Sequence, residues 1–391
     1  MKSLLPALLQ LTDFELPPGS PFTALWAGPA LLVASLLIAW GAEATQFFLA
    51  QGIALAVLAL LQTLPEFAIE AVFAWHQQVR LLFSSVTGAL QLLTGFGWPI
   101  IYFSAATAYR RAQKRPMRLI RLEEDQSVQI LALLVAIAYD AFVWWKGTVT
   151  IYDGVVLVAV YASYLWIMRR LPPEEAETID EVGGIPRAII LASKPVRITA
   201  ILGLFIVGGA AVFLVADPFV GGLLGISTLI GISNFTFIHW VAPVVSEAPE
   251  GVSAFYWARD PERASIALMN LVSSNINQWT LLVGLLPMVL SLSAHHIAVI
   301  SLSDLQSREI LLTISQSLLG ALFLINMELA WWEAAGLFVL FLIQFGFAQL
   351  KTAVICVDFA WCAVEVVRLI TGNRRAIALR HFLDIFAPRR K

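Results

Sequence analysis

This sequence is short of charge. Acidic and basic residues make up 13% of its 391 residues, and 59% are hydrophobic. A soluble globular domain carries roughly a quarter of its residues charged, so that class is excluded, and the mean hydropathy of +0.80 agrees. Cysteine is nearly absent. Cys356 and Cys362 stand six apart in one late apolar segment. That spacing points them in different directions on a helix, so they read as buried free thiols, not a disulfide or a metal pair. The start, MKSLLPALLQLTDFELPPGSP, has no small-residue cleavage site and its apolar run is interrupted by Pro6. It reads as a short interfacial helix near residues 3–12, not as a signal peptide. The motifs of intramembrane enzymes are missing too. There is no His-Glu-x-x-His, no Gly-x-Gly-Asp partner for Tyr139-Asp140, and no paired aspartate motif for prenyl diphosphates. The five histidines are scattered. No catalytic residue is assigned, and the chain is not read as an enzyme.

What the sequence has is apolar length. Several windows exceed the roughly 18 residues that mark a spanning helix. Spans are expected near 24–43, 51–75, 81–107, 128–145, 151–168, 197–215, 222–257, 264–291, 309–326, 332–350 and 352–370. The seventh contains Pro243 and Pro249 and is too long for one straight crossing, so it is expected to kink or split. The chain is therefore an all-α polytopic membrane protein. Alternate loops carry very different numbers of basic residues: twenty of the 25 lysines and arginines fall on one side. The positive-inside bias puts the N-terminus outside and the C-terminus in the cytoplasm, with an odd number of spans. The basic residues flank spans, so a nucleic-acid partner is not expected.

An internal repeat divides the chain. SSVTGALQLLTG (84–95) aligns without gaps on SSNINQWTLLVG (273–284), sharing both serines, a Leu-Leu pair and the last glycine. Upstream, TLPEF (63–67) matches EAPEG (247–251) at Pro-Glu. A unit of five spans repeated once inserts with opposite topology, the inverted-repeat plan of many secondary transporters. The expected organisation is an N-terminal segment 1–23, a first five-helix repeat 24–168, a cytoplasmic linker 169–196 and a second five-helix repeat 197–350. Residues 351–391 add one C-terminal helix and a basic tail, giving about eleven spans. The linker, with PPEEAETIDEVGG, mixes acids with bases and reads as a solvated connection.

The Pro-Glu pairs carry the chemistry. Proline removes a backbone donor and pushes aside the carbonyl four residues earlier, so Pro65 should free the carbonyl of Leu61 and Pro249 that of Val245. Inside lipid a free carbonyl must face protein, water or an ion. A carboxylate at mid-membrane costs about 2.5–3.5 kcal/mol on insertion scales unless it is compensated. Together they form a set of hard oxygen ligands, which suits calcium, a cation that takes roughly 6–8 oxygens in irregular geometry. Thr63 and Glu66, and Glu247 and Glu250, are three apart and share a helix face. Ser273 and Asn277 add neutral oxygens from a partner helix. Glu66, Glu247 and Glu250 could neutralise a divalent ion with one charge left for a proton or sodium. Glu70, one turn beyond Glu66, falls at the cavity mouth or the interface. Asp140 reads as near the interface and His239 as a packed polar residue. Glu328, Asp358 and Glu365 either pair or snorkel.

Paired Pro-Glu helices in inverted repeats, each followed by a serine-bearing helix, resemble the α-repeats of the cation/calcium exchanger superfamily, which includes the sodium/calcium exchangers. The resemblance implies ten helices in two inverted halves with ions bound at the centre; the span after 352 is an addition. It implies that Glu66 and Glu250 bind the divalent cation, with Thr63, Ser246, Ser84, Ser273 and Asn277 contributing. The pattern departs at Gln62 and Glu247, where the family has Thr and Ser, and at Gly88, the repeat-one counterpart of Asn277. The implied function is secondary active exchange of Ca²⁺, or another divalent cation, for Na⁺ or H⁺ by alternating access. A proton-coupled cation antiporter of the same fold and a member that binds ions without transport are the other readings. No resident cofactor is expected; the ions are cargo. The expected partners are inorganic cations and the lipid bilayer, with the oligomeric state left open, and the expected site is a prokaryotic inner membrane.

Overall fold

A computed structural model of the chain describes residues 19–45, 47–48, 63–171 and 184–386, without the side chains of Pro249, Glu250 and Ser253. The expected helix at 3–12 and the carbonyl of Leu61 lie outside the described residues. Helix α1 is Pro21–Thr45. Helix α2 is Leu64–Trp75, and α3 is Val79–Leu92, joined by a π-helical turn at Leu93–Gly97 to α4, Trp98–Gln113. A short strand β1, Leu119–Arg121, precedes α5, Ser127–Lys146. Strand β2, Thr148–Val149, precedes α6, Ile151–Met168. A short helix α7, Gly184–Leu191, leads into α8, Lys194–Ile230. Then come α9, Asn234–Ser246; α10, Ala248–Trp257; and α11, Ala264–Asn277, with a second π-helical turn at Gln278–Leu282 before α12, Val283–Ala294. Strand β3, Ile300–Ser301, precedes α13, Asp304–Leu324, and strand β4, Glu328–Ala330, precedes α14, Trp331–Gly346. Helices α15, Lys351–Ile370, and α16, Ile377–Phe386, close the chain.

Six helical stretches among the described residues are long and apolar enough to cross a membrane: Pro21–Thr45, Val79–Gln113, Glu124–Lys146, Ile151–Met168, Lys194–Ile230 and Ala264–Ala294. Their outer faces expose large apolar side chains such as Ile206, Phe213 and Leu214, an arrangement that suits lipid and not water. Helices α13 and α15 fall outside that set because they bury polar residues: Glu309, Thr313, Ser315, Gln316 and Ser317 on the first, Lys351, Asp358 and Glu365 on the second.

Two strand pairings display the inversion directly. Strand β1 pairs antiparallel with β4, Ile120 opposite Leu329, and β2 pairs with β3, Val149 opposite Ile300. Helix α5 runs from β1 to β2, and α13 runs from β3 to β4. The two bridges therefore cap opposite ends of the bundle, and α5 and α13 cross it in opposite senses. The helix starts match as well. At the starts of α5 and α13, a glutamine side chain accepts from a backbone N–H three residues back: Gln126 from Glu123 at 3.0 Å and Gln306 from Ser303 at 2.8 Å. At α6 and α14 an acid does the same: Asp153 accepts from the Thr150 N–H at 2.7 Å and Glu333 from the Ala330 N–H at 2.8 Å. Each satisfies a donor that the helix start leaves unpaired.

Three sequence expectations change. The expected break between 215 and 222 is not there: α8 passes through Pro218 and ends at Gly231, whose φ of +70° caps it in the left-handed region. The next helix starts at Asn234 behind the N-cap Ser233, which accepts from the Thr236 N–H at 3.2 Å. It splits, as expected, at Glu247. Inside the linker, α7 packs Ile189 and Ile190 against Ala44 of α1, so part of that connection is helical and buried. Cys362 is buried but Cys356 is exposed on the outer face of α15.

Helix α15 is fastened along one buried face at seven-residue spacing. Lys351 donates to Glu309 at 2.7 Å, Asp358 accepts from Ser315 at 3.0 Å, and Glu365 accepts from Arg374 at 2.7 Å. Arg374 also pairs with Glu333 at 2.7 Å and donates to the Phe323 carbonyl. Asp358 and Glu365 thus pair inside the bundle instead of snorkelling. Glu328 lies in β4 with Arg121 at 3.7 Å.

A candidate cation site where the two halves meet

Both Pro-Glu motifs open a short helix. Leu64-Pro65-Glu66 are the first three residues of α2, and Ala248-Pro249-Glu250 are the first three of α10. Proline is tolerated there because its missing N–H would have had no helical partner, and Glu66 in the first turn of α2 faces the positive end of the helix dipole. The predicted loosening of the backbone therefore takes the form of a helix start. Helix α2 runs from that start to the end of the bundle capped by β2 and β3, where Gln77 donates to Ser293 at 3.2 Å. Helix α10 runs to the end capped by β1 and β4.

Glu66 and Glu247 are 5% and 4% exposed, and Thr63 beside them is 4% exposed. Glu247 is the hinge residue between α9 and α10: its N–H donates to the Pro243 carbonyl, and its carbonyl accepts from Gly251, each at 2.8 Å. One side chain joins the two acids. Gln278, the first residue of the second π-helical turn, is 1% exposed. Its Nε2 donates to Glu66 Oε1 at 2.7 Å and to Glu247 Oε1 at 2.5 Å. Gln278 Oε1 and Glu66 Oε2 are buried with no hydrogen-bond partner among the described residues. Because both carboxylate oxygens touch one nitrogen, at 2.7 and 2.5 Å, they are no more than 5.2 Å apart. Two oxygens on opposite sides of one Ca²⁺, each at 2.3–2.6 Å, are separated by about the same distance. The amide nitrogen thus occupies a point from which a hard cation could reach both acids. Among the described residues no three His, Cys, Asp or Glu side chains converge closely enough to hold a metal ion; the Glu250 side chain lies outside them.

The other predicted ligands divide. Asn277 is buried next to Gln278, and Ser246 is half-buried beside the hinge, donating to the Pro243 carbonyl at 3.3 Å. Val245 is half-buried one residue earlier. Ser84 and Ser273 lie in unlike surroundings. Ser84 donates to the Phe235 carbonyl at 2.6 Å, facing α9, whereas Ser273 accepts from Gln129 of α5 at 3.0 Å and lies 3.3 Å from the Tyr164 hydroxyl of α6. The gapless alignment that paired these serines is offset: Ser84 lies nine residues before its π-helical turn and Ser273 five before its own.

Sequence reasoning passed over Gln278, and also Gln91 of the first half. Gln91 Oε1 lies 3.2 Å from His239 Nε2, and Gln91 Nε2 donates to Thr313 at 2.9 Å. Gln316 donates to the Gln91 carbonyl at 2.9 Å, and Gln344 to Gln316 Oε1 at 2.7 Å. Carboxylates surround Gln278, whereas neutral and imidazole groups surround Gln91. His239 is a packed polar residue, its Nδ1 2.9 Å from the Ser84 carbonyl. Asp140 is buried in α5, six residues before its end at Lys146.

Fold and site together define a polytopic helical membrane protein with two inverted halves and acids buried where they meet. The sequence model of the sodium/calcium exchanger protein family matches residues 20–169 and 200–349. The chain belongs to that family, within the cation/calcium exchanger superfamily. Among solved structures it is similar to the H⁺/Ca²⁺ exchanger CAX, with 30% identity and a TM-score of 0.85 over 97% of this chain and 94% of that one. It shares a fold with native YfkE, at 14% identity and TM-score 0.58 over 83% of this chain and 91% of that one. It also shares a fold with the sodium–calcium exchanger NCX_Mj, at 20% identity and TM-score 0.52 over 83% of this chain and 97% of that one. No curated protein matches the chain by sequence.

Proposed function

We propose that the chain exchanges Ca²⁺, or a similar hard divalent cation, for protons across a membrane by alternating access. The observation that carries this reading is the meeting of Glu66 from the first half and Glu247 from the second on one amide nitrogen, at 2.7 and 2.5 Å. One neutral amide brings no positive charge to these two acids, and a buried charge is costly unless it is compensated. A divalent cation, or protons, would supply the compensation. The two loads exclude each other because both neutralise the same carboxylates, and that exclusion is coupling.

Glu66, Glu247 and Glu250 are the proposed acidic ligands. Thr63, Ser246, Asn277 and the carbonyls of Leu61 and Val245 are the proposed neutral oxygens. The Gln278 amide would turn to offer Oε1 when the cation enters. Ser84 and Ser273 stand outside this set, their hydroxyls held by Phe235 and by Gln129. Residues 24–168 and 197–350 form the moving halves, joined by 169–196, with 351–391 appended. The end bearing most arginines and lysines faces the cytoplasm.

The proton is preferred to sodium on one observation: the relative with 30% identity is described as an H⁺/Ca²⁺ exchanger. In proteoliposomes a pH gradient without sodium should drive Ca²⁺ uptake, and a sodium gradient at equal pH should not. Uptake driven by sodium alone would reverse the coupling assignment. Ca²⁺ binding with no flux under either gradient would leave a protein that binds the ion without transporting it.

A further inference from the structure

One buried acid has no part in the site above. Glu70 is one turn beyond Glu66 on α2 and so on the same face of the helix. It is 3% exposed, and Glu70 Oε2 has no hydrogen-bond partner among the described residues. The Ser85 hydroxyl of α3, itself 3% exposed, lies beside it.

Among the described residues of the helices packed against α2, no cation is placed to compensate it. Helix α2 is packed against α8, α12, α3, α9 and α1. Helix α12 carries no charged residue. On α3, Arg80 is exposed and lies over the Phe235 ring, 5.7 Å from its centroid. On α8, Lys194 and Arg197 lie in the first turn, and Asp217 is held by His76 at 2.9 Å. On α9, His239 is engaged with Ser84 and Gln91. Helix α1 offers only another acid, Glu43.

Glu70 also lies between the central site and the far end of α2. Helix α2 starts at the central site and ends at Trp75, which is 58% exposed. At about 1.5 Å per residue, Glu66 is about 13 Å and Glu70 about 7 Å from that end. A carboxylate between a central site and an exposed helix end, with a hydroxyl beside it and no countercharge among the described residues, is suited to accept a small positive load in transit.

We propose that Glu70 and Ser85 form a second ion station, which holds the coupling ion, a proton or Na⁺, between the central site and the end of α2 at His76. The load is exchanged as a unit: when the divalent cation displaces one positive charge from Glu66, Glu70 takes that charge and releases it at the His76 end. If it is a proton, the Glu66 O–H bond breaks and a Glu70 O–H bond forms. The station rests on the exchanger reading, and the test separates the two.

The test uses the full chain in proteoliposomes, wild type and Glu70→Gln, with equilibrium ⁴⁵Ca²⁺ binding and ⁴⁵Ca²⁺ flux under a pH gradient without Na⁺ and under a Na⁺ gradient at equal pH. Glutamine keeps the shape beside Ser85 but cannot take the charge. Glu70→Gln should bind Ca²⁺ within about threefold of wild type and lose at least tenfold of the flux driven by whichever gradient works for wild type. Glu70→Asp should recover part of that flux, and it stands in if the glutamine variant does not fold, reading then as a partial loss. Unchanged gradient-driven flux in Glu70→Gln would overturn the station while leaving the exchanger intact. Loss of Ca²⁺ binding in the same variant would overturn it too, because Glu70 would then be a ligand of the central site. A wild type without flux under either gradient would defeat the exchanger reading itself.

Discussion

Replacing Glu66 by glutamine is expected to abolish cation-driven flux and to weaken Ca²⁺ binding at least 100-fold, about 2.7 kcal/mol. The change removes one charge and little volume. Glu66 Oε1 already takes a hydrogen bond from Gln278 at 2.7 Å, and an amide oxygen can accept that bond as well. The fold should therefore survive, and the loss should fall on binding. A divalent ion next to one remaining described carboxylate, Glu247, keeps a smaller part of the attraction that offsets its dehydration. Glu66→Asp keeps the charge but draws it back by one methylene, and should bind Ca²⁺ between the two. The measurement is ⁴⁵Ca²⁺ binding on purified protein, with monodisperse elution as the check on folding. Wild-type affinity in Glu66→Gln would remove Glu66 from the site.

Replacing Gly88 by valine is expected to have the largest effect on stability, about 3 kcal/mol or more. A Cβ at Gly88 would lie 1.9 Å from the His239 carbonyl oxygen and 2.8 Å from its carbon. That oxygen belongs to a helix backbone and cannot swing aside, so α3 and α9 would have to separate. The same separation would pull His239 from Ser84 and Gln91 and disturb the base of the Glu247 hinge. Gly203 of α8 is the matched control, with nothing within 4 Å of its added Cβ. Gly203→Ala should be neutral or slightly stabilising, since alanine is the better helix former. Thermal unfolding in detergent reads both. A Gly88→Val protein as stable as wild type would mean that α3 and α9 do not cross this closely.

The coarse fold was legible because its signals are long and redundant. Apolar length marks spans whatever their tertiary contacts, and the Pro-Glu pair recurs where proline can stand, in the first turn of a helix. The break at Glu247 was legible for the same reason. Legibility failed where a local cue was overruled. Asp217 and Pro218 look like the end of a helix, but one proline removes one hydrogen bond, and α8 needs a left-handed glycine to stop, which comes at Gly231.

The site was half legible. Acids within apolar segments announce themselves by their cost, so Glu66 and Glu247 were found. Gln278 was not, although NINQW places three amides in five residues of a buried helix. A neutral amide carries a smaller desolvation cost than a carboxylate and raises no alarm in a hydropathy pattern. Gln91, in ALQLL, was missed for the same reason. The serine motifs misled in the opposite direction. Ser84 and Ser273 match as letters, yet their surroundings differ, because the π-helical turn follows at different distances and rotates the two helices differently. The Glu309–Lys351 pair joins different helices at 2.7 Å, and nothing in either local segment names the other.

The central claim is that one cation can take the place of the Gln278 amide nitrogen between carboxylates from opposite halves. Strontium provides an anomalous signal and is a hard divalent ion like calcium. A crystal structure of the wild-type protein soaked in Sr²⁺ should show an anomalous peak within coordination distance of Glu66 and Glu247, with the Gln278 nitrogen turned away from both. A peak elsewhere, with Gln278 still bridging the two acids, would contradict it.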